Sequence, residues 1–97
     1  MCGMTDKRVI VLHSDDNVGV ALTDLHQGEK LVVKDMIIVL QSDIHFCHKF
    51  SLTSISENEK ILKYGLPIGV CTKNIRAGEW VHMHNLKSNY KPVDIEK

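Results

Sequence analysis

Short runs of apolar residues, broken every few positions by Gly, Asn, Asp or paired charges, dominate this chain. Residues 8–13 (Arg-Val-Ile-Val-Leu-His) have strand length and stop at Ser14-Asp15-Asp16-Asn17, four consecutive capping or turn residues. Val18, Ala21, Leu22 and Leu25 follow at the i, i+3, i+4, i+7 spacing of one apolar helical face, which predicts a short helix over 16–25 with Asp15 or Asp16 as its N-cap. Gly28 ends it. Residues 31–33 and 36–40 read as two strands joined by Lys34-Asp35, a charged pair suited to a tight turn. Beyond Phe46, strands are expected over 49–53, 60–64, 68–72 and 79–84, with Gly65, Pro67, Gly69 and Gly78 as punctuation. Residues 1–7 and 88–97 carry little apolar pattern and are expected to be loose, which leaves 8–87 as a single domain.

An internal echo runs through this pattern. Residues 23–31 (TDLHQGEKL), 53–61 (TSISENEKI) and 74–81 (NIRAGEWV) each place an apolar residue three positions before Gly or Asn, then Glu, then a second apolar residue two further on. Gly and Asn tolerate positive φ, so each copy is expected to turn between an anchoring apolar residue and a new strand. The copies are unevenly spaced, which argues against a solenoid and for a folded-over β-domain of short hairpins.

Composition narrows the function classes. The 97 residues are 43% hydrophobic and 25% charged, enough for one compact domain and too few for a multidomain enzyme. Twelve basic against twelve acidic residues give no net attraction for nucleic acid, and 5% aromatic content leaves few stacking platforms, so nucleic acid is not an expected partner. No apolar run approaches a membrane span, and the opening MCGMTD carries no hydrophobic signal core, so neither a membrane partner nor export is expected. Three scattered cysteines, Cys2, Cys47 and Cys71, make no disulfide framework and suit a reducing cytoplasm. P-loop, dinucleotide and nucleophile-elbow motifs are absent.

Five motifs occur in one order: DNVGVAL at 16–22, HKF at 48–50, ILKYG with Ile68-Gly69 at 61–69, IRAGE at 75–79 and VHMHNL at 81–86. The series resembles the SAF-type domain of the altronate/galactarate dehydratase family and covers about residues 8–87. The resemblance implies a mainly β chain, a β-clip fold with one or two short helices. It further implies a lyase that removes water, or sulfite in the sulfolactate sulfo-lyase type, from a sugar acid or sulfonated hydroxy acid. By the same resemblance the chain is a small subunit, inactive without a large catalytic lyase subunit, and a divalent metal, typically iron, is shared with that subunit. A homo-oligomer stays open. The alternative is a stand-alone ligand-binding or regulatory module of the same fold. Two positions depart from the family pattern: Cys47 stands where Gly usually precedes the His-Lys pair, and Asn58 stands where Gly is common.

Dehydration of a hydroxy acid needs a base, an acid for the departing oxygen, and positive charge for the developing enediolate. His48 and Lys49 are the catalytic candidates, an imidazole for proton transfer and an ammonium to hold a carboxylate. Asn17, Lys63 and Asn85 are candidates for substrate binding. His82 and His84, on one face of a strand and about 6–7 Å apart, are candidate metal ligands, short of the three protein ligands that metal sites usually have. Structural alternatives stand beside these: a helix-capping pair for Asp16-Asn17, core positions for Phe46 and Phe50, an interface anchor or core position for Trp80, and small apolar packing for Cys71.

Overall fold

A computed structural model describes residues 5–82 and 84–88. Among the described residues, nine antiparallel strands build three sheets. β1 (Val9–Ile10), β2 (Val18–Ala21), β5 (Lys49–Ser51) and β8 (Trp80–Val81) form the four-stranded sheet in the order β1-β2-β5-β8. β3 (Lys30–Val33) pairs with β4 (Met36–Val39), and β6 (Lys60–Lys63) with β7 (Leu66–Cys71) and then β9 (Leu86–Ser88). The mainly β expectation holds. Both hairpins turn through two residues of positive φ: Lys34 (52°) and Asp35 (66°) after β3, Tyr64 (61°) and Gly65 (74°) after β6. This is the turn whose twist matches that of the flanking strands.

The helix expected over 16–25 does not form; no described residue is helical. Val18-Gly19-Val20-Ala21 is instead a central strand, paired with β1 on one side and β5 on the other. Asp16, read as a helix cap, is buried and accepts the N–H groups of Tyr64 (3.0 Å) and Gly65 (2.7 Å), so its carboxylate ties down the β6–β7 turn. The apolar spacing was the sum of a strand and a turn: Leu22, on the supposed buried face, is 44% exposed. β-Branched Val18 and Val20 favour the strand.

The echo proves to have four copies. Residues 42–50 (SDIHFCHKF) adopt the same bend, bridge, turn and strand as 23–31, 53–61 and 73–81. The copies work in pairs. Leu25 and Ile44 exchange backbone hydrogen bonds (2.8 and 2.9 Å), as do Ile55 and Ile75 (2.9 and 2.8 Å). Asp24 accepts from Phe46 N–H and Asp43 from Gln27 N–H, at 2.9 and 2.8 Å, which locks the first pair reciprocally. The positive-φ position is Gly28 (89°), Cys47 (71°), Asn58 (74°) and Gly78 (89°). Both apolar positions are buried in every copy: Leu25, Ile44, Ile55 and Ile75, then Leu31, Phe50, Ile61 and Val81. Each such side chain removed from water contributes about 1.5–3 kcal/mol, so the repeat is the unit that builds the core. That core falls in two clusters, one around Leu25, Leu31, Leu40, Ile44 and Phe50, the other around Val18, Ile55, Ile61, Ile75 and Val81.

Asp6 N–H bonds Val32 O at 2.7 Å, its carboxylate grips Arg8 at 2.7 Å, and Thr5 Oγ1 accepts from Lys34 N–H at 3.2 Å, so residues 5 and 6 of the expected loose start are tied down. Of the expected loose ends, residues 1–4 and 89–97 lie outside the described residues. Phe50 is buried as expected, whereas Phe46 is 56% exposed at the tip of the second repeat. Cys71 packs in the core, and burial pushes its thiol pKa up.

Candidate functional site

In three repeats the Glu after the positive-φ residue closes its own turn. Glu29 accepts from His26 N–H (3.0 Å), Glu59 from Ser56 N–H (2.7 Å) and Glu79 from Arg76 N–H (2.6 Å). In the second repeat that position is His48. An imidazole offers no carboxylate to the turn, and its side chain goes elsewhere. Cys47, where other copies carry Gly or Asn, holds a left-handed conformation that costs an ordinary L-residue about 1–2 kcal/mol. The repeat that departs twice from the structural pattern also lines a pocket. Cys47, His48, Lys49 and His82 line an open cavity of about 190 Å³.

Lys49 reaches this pocket from β5, a strand with neighbours on both sides. Burial lowers its ammonium pKa, and the positive charge of Lys63 lowers it further. Among the described residues no ion pair joins Lys49 to a carboxylate. His48 and His82 stack with ring centroids 6.0 Å apart, and His45 meets His48 edge-on at 5.8 Å. Trp80 is the hub: its ring lies 5.1 Å from His82, near parallel at 7°, and 5.0 Å from His84, tilted by 37°. Its indole N–H donates to His48 Nδ1 at 3.2 Å.

Sequence reasoning placed His82 and His84 on one strand, but β8 ends at Val81. Asn85 ends it: buried at 4% exposure, it accepts His82 N–H at 2.9 Å and donates to Trp80 O at 2.8 Å, and its backbone N–H bonds His82 O at 3.0 Å. Asn85 thus anchors the backbone beside both histidines, with each end of its amide already bonded. Asn17 is likewise occupied, accepting from Leu62 N–H (2.8 Å) and donating to Lys60 O (3.0 Å). Of the candidate residues, His48, Lys49 and His82 converge on the pocket. Lys63 acts on it by charge, with its ammonium over the Tyr64 ring (5.6 Å), and His84 stands behind Trp80. Trp80 and Cys47 were not among the candidates. Aligning residues 42–50 as a fourth repeat would have exposed the site, since His48 and Cys47 are its misfits.

The donor set does not make a metal site by itself. Among the described residues no three His, Cys, Asp or Glu side chains are placed to hold one metal ion, and one nitrogen of His48 is engaged by Trp80. Structural and catalytic metal sites draw three or four protein ligands.

Residues 7–89 match the family model of the altronate/galactarate dehydratase SAF domain. The chain belongs to this family. Its all-strand architecture is that of a mainly β SAF domain. Over 89 residues, 92% of this chain and 18% of the relative, the SAF domain is 42% identical to an altronate dehydratase of Bacillus subtilis (strain 168). Over 85 residues, 88% of this chain and 17% of the relative, it is 42% identical to an altronate dehydratase of Escherichia coli (strain K12). It is also 34% identical over 86 residues to the (2R)-sulfolactate sulfo-lyase subunit alpha of Chromohalobacter salexigens, covering 81% of this chain and 92% of that subunit. The SAF domain therefore spans less than a fifth of the two dehydratases and nearly the whole of the sulfo-lyase subunit.

Proposed function

We propose that this SAF domain is the small subunit of a hydroxy-acid lyase and forms one wall of an active site that a larger catalytic subunit completes. The observation that carries the reading is Lys49: a half-buried ammonium beside a second lysine, in a pocket whose described residues offer it no carboxylate. A charge moved out of water needs a counter-ion, and a substrate carboxylate supplies one. Lys49 then holds that carboxylate and His48 hydrogen-bonds the same anion, so both favour the negative charge that develops when the adjacent carbon loses its proton.

Size supports the shared site. Pockets that enclose small ligands usually measure about 300–1,000 Å³, and this one is about 190 Å³ and open. The relative matched along nearly its whole length bears a subunit name, which fits a multi-subunit assembly. The substrate class follows from the relatives: a sugar acid losing water or a sulfonated hydroxy acid losing sulfite. A divalent metal, if the assembly uses one, takes most of its ligands from the larger subunit, because the described residues here supply too few.

The test is an affinity pull-down of the tagged chain from its native extract, followed by assay of the complex on altronate, galactarate and sulfolactate. The expected result is a larger lyase-family chain in stoichiometric amount, with elimination by the complex and none by either chain alone. Recovery of the SAF domain by itself, with carboxylate binding but no elimination in any mixture, would overturn the reading in favour of a stand-alone binding module.

A further inference from the structure

Two positions break the repeat, and they face each other. The residue before the last apolar position is Lys30, Lys49 and Lys60 in the first three copies, and Trp80 in the fourth. The residue before that is Glu29, Glu59 and Glu79 in three copies, and His48 in the second. The exceptional tryptophan donates its indole N–H to Nδ1 of the exceptional histidine at 3.2 Å. An indole nitrogen is a donor only, so the direction of this bond is settled by chemistry. The geometry points to Trp80 as a positioning residue that holds the neutral His48 ring with its proton on Nε2, so that His48 meets a ligand as a hydrogen-bond donor.

A neutral imidazole ring carries one N–H and one lone pair. The indole occupies the lone pair of Nδ1, so the proton resides on Nε2, the nitrogen left for a ligand. In this state the ring has no free lone pair with which to take a proton from carbon. Its contribution is an N–H aimed at oxygen, beside the Lys49 ammonium that lines the same pocket. His48 thus moves from candidate base to stabiliser of a carboxylate or enediolate oxygen, an assignment that depends on the shared-site reading above; the tautomer itself does not.

Trp80 is fixed well enough to do this. Its backbone N–H bonds Ser42 Oγ (3.2 Å), its carbonyl accepts from Asn85 (2.8 Å), and its ring packs against the core cluster of the first repeat pair. The near-parallel stack on His82 (7°) further restrains the indole plane. A group locked by packing and secondary hydrogen bonds can fix the tautomer of a neighbour without touching substrate.

Long-range ¹H–¹⁵N spectra of the histidine rings test this on the chain alone, in mildly alkaline buffer, with His48 assigned by the signals lost in His48→Gln. The wild type is expected to show His48 as the Nε2–H tautomer. Trp80→Phe keeps an aromatic ring but deletes the donor, and is expected to move the His48 nitrogen shifts toward a tautomer average while leaving His13 and His26 unchanged. A wild-type His48 protonated on Nδ1, or His48 shifts unaltered in a folded Trp80→Phe, overturns the inference. Should Trp80→Phe not fold, the wild type still decides. Trp80 is the sole tryptophan, so its indole N–H resonance is unambiguous, and it is expected to move upfield and exchange faster in His48→Leu, whose side chain offers no acceptor; an unmoved resonance refutes the bond. No substrate or partner enters these measurements, so failure of the shared-site reading leaves their outcome intact, and the reverse holds as well.

Discussion

Gly28 and Gly78 occupy the same position in their repeats with the same φ of 89°, yet their surroundings differ completely. A Cβ on Gly28 would meet nothing within 4 Å, whereas one on Gly78 would lie 2.2 Å from Val39 O and 3.1 Å from Leu40 Cα, both backbone. For Gly28→Ala only the left-handed conformation counts, about 1–2 kcal/mol, partly offset by the about 0.4–1 kcal/mol that Ala gains by narrowing the unfolded ensemble. The net loss of about 1 kcal/mol corresponds to a melting temperature lower by about 4–8 °C in a domain of this size. Gly78→Ala carries the same cost and must also push two backbone segments apart. Gly78 is held there by Gln41 N–H, from the segment of Val39 and Leu40, to its carbonyl (2.9 Å) and by its own N–H to Ser51 O of β5 (2.8 Å). Straining both bonds, at about 1 kcal/mol each, together with overpacking of about 1–3 kcal/mol, adds about 3–5 kcal/mol. Against a total stability of about 5–15 kcal/mol, this variant is expected to melt at least 15 °C below the wild type, by the conversion of about 4–8 °C per kcal/mol, or not to fold. Thermal denaturation followed by circular dichroism reads both variants side by side. Equal melting temperatures would refute the close approach of residues 78 and 39, and with it the packing of the fourth repeat against the first hairpin.

Three further outcomes follow from individual residues. Cys47→Gly removes left-handed strain and is expected to raise stability by about 0.5–1 kcal/mol after the entropy of Gly is subtracted; a lower melting temperature would show that the thiol packs usefully. Lys49→Met removes a desolvated ammonium, and is expected to fold at least as stably while abolishing carboxylate binding in titration calorimetry. Because the folded-state pKa of Lys49 lies below the ordinary 10.5, the folded state releases its proton first, so wild-type stability climbs with pH in the window below that value and the climb is absent from Lys49→Met. Hydrogen bonds from Arg8 hold the Asp6 carboxyl at about 2 against an ordinary 3.8, so its stabilisation is complete above 3.8 and fades as pH falls toward 2. Asp6→Asn is expected to flatten that acid limb in urea titrations at stepped pH; an unchanged limb would count the ion pair as energetically silent.

How far the chain could be read depended on how local each signal was. Lys34-Asp35 between two apolar runs announced its hairpin because the turn and its flanking strands are consecutive in sequence. The same locality misled at Val18, Ala21, Leu22 and Leu25. That spacing fits a helix, but pairing of β2 with β1 and with β5, the latter nearly thirty residues on, overrode it. The run at 79–84 looked like one strand because Val81 and its neighbours suit an extended chain, while the buried amide of Asn85 recruits Trp80 O and His82 N–H and ends β8 early. The second repeat, 42–50, is hard to see in the sequence because Cys47 and His48 replace the Gly or Asn and the Glu that make the other copies visible, and those replacements line the pocket.

By itself the sequence determined the mainly β class, the family and three of the four buried anchors, and it singled out the His-Lys pair at 48–49 as a candidate, since burial pattern, turn chemistry and motif order are written along the chain. Only the tertiary structure decided that His48, Lys49 and His82 share one pocket, that Asn17 and Asn85 are consumed by backbone, and that Trp80 governs His48. These depend on which strands pair and on which donors are left over once the backbone is satisfied, and hydrogen-bond partners far apart in the chain meet only when the sheets close.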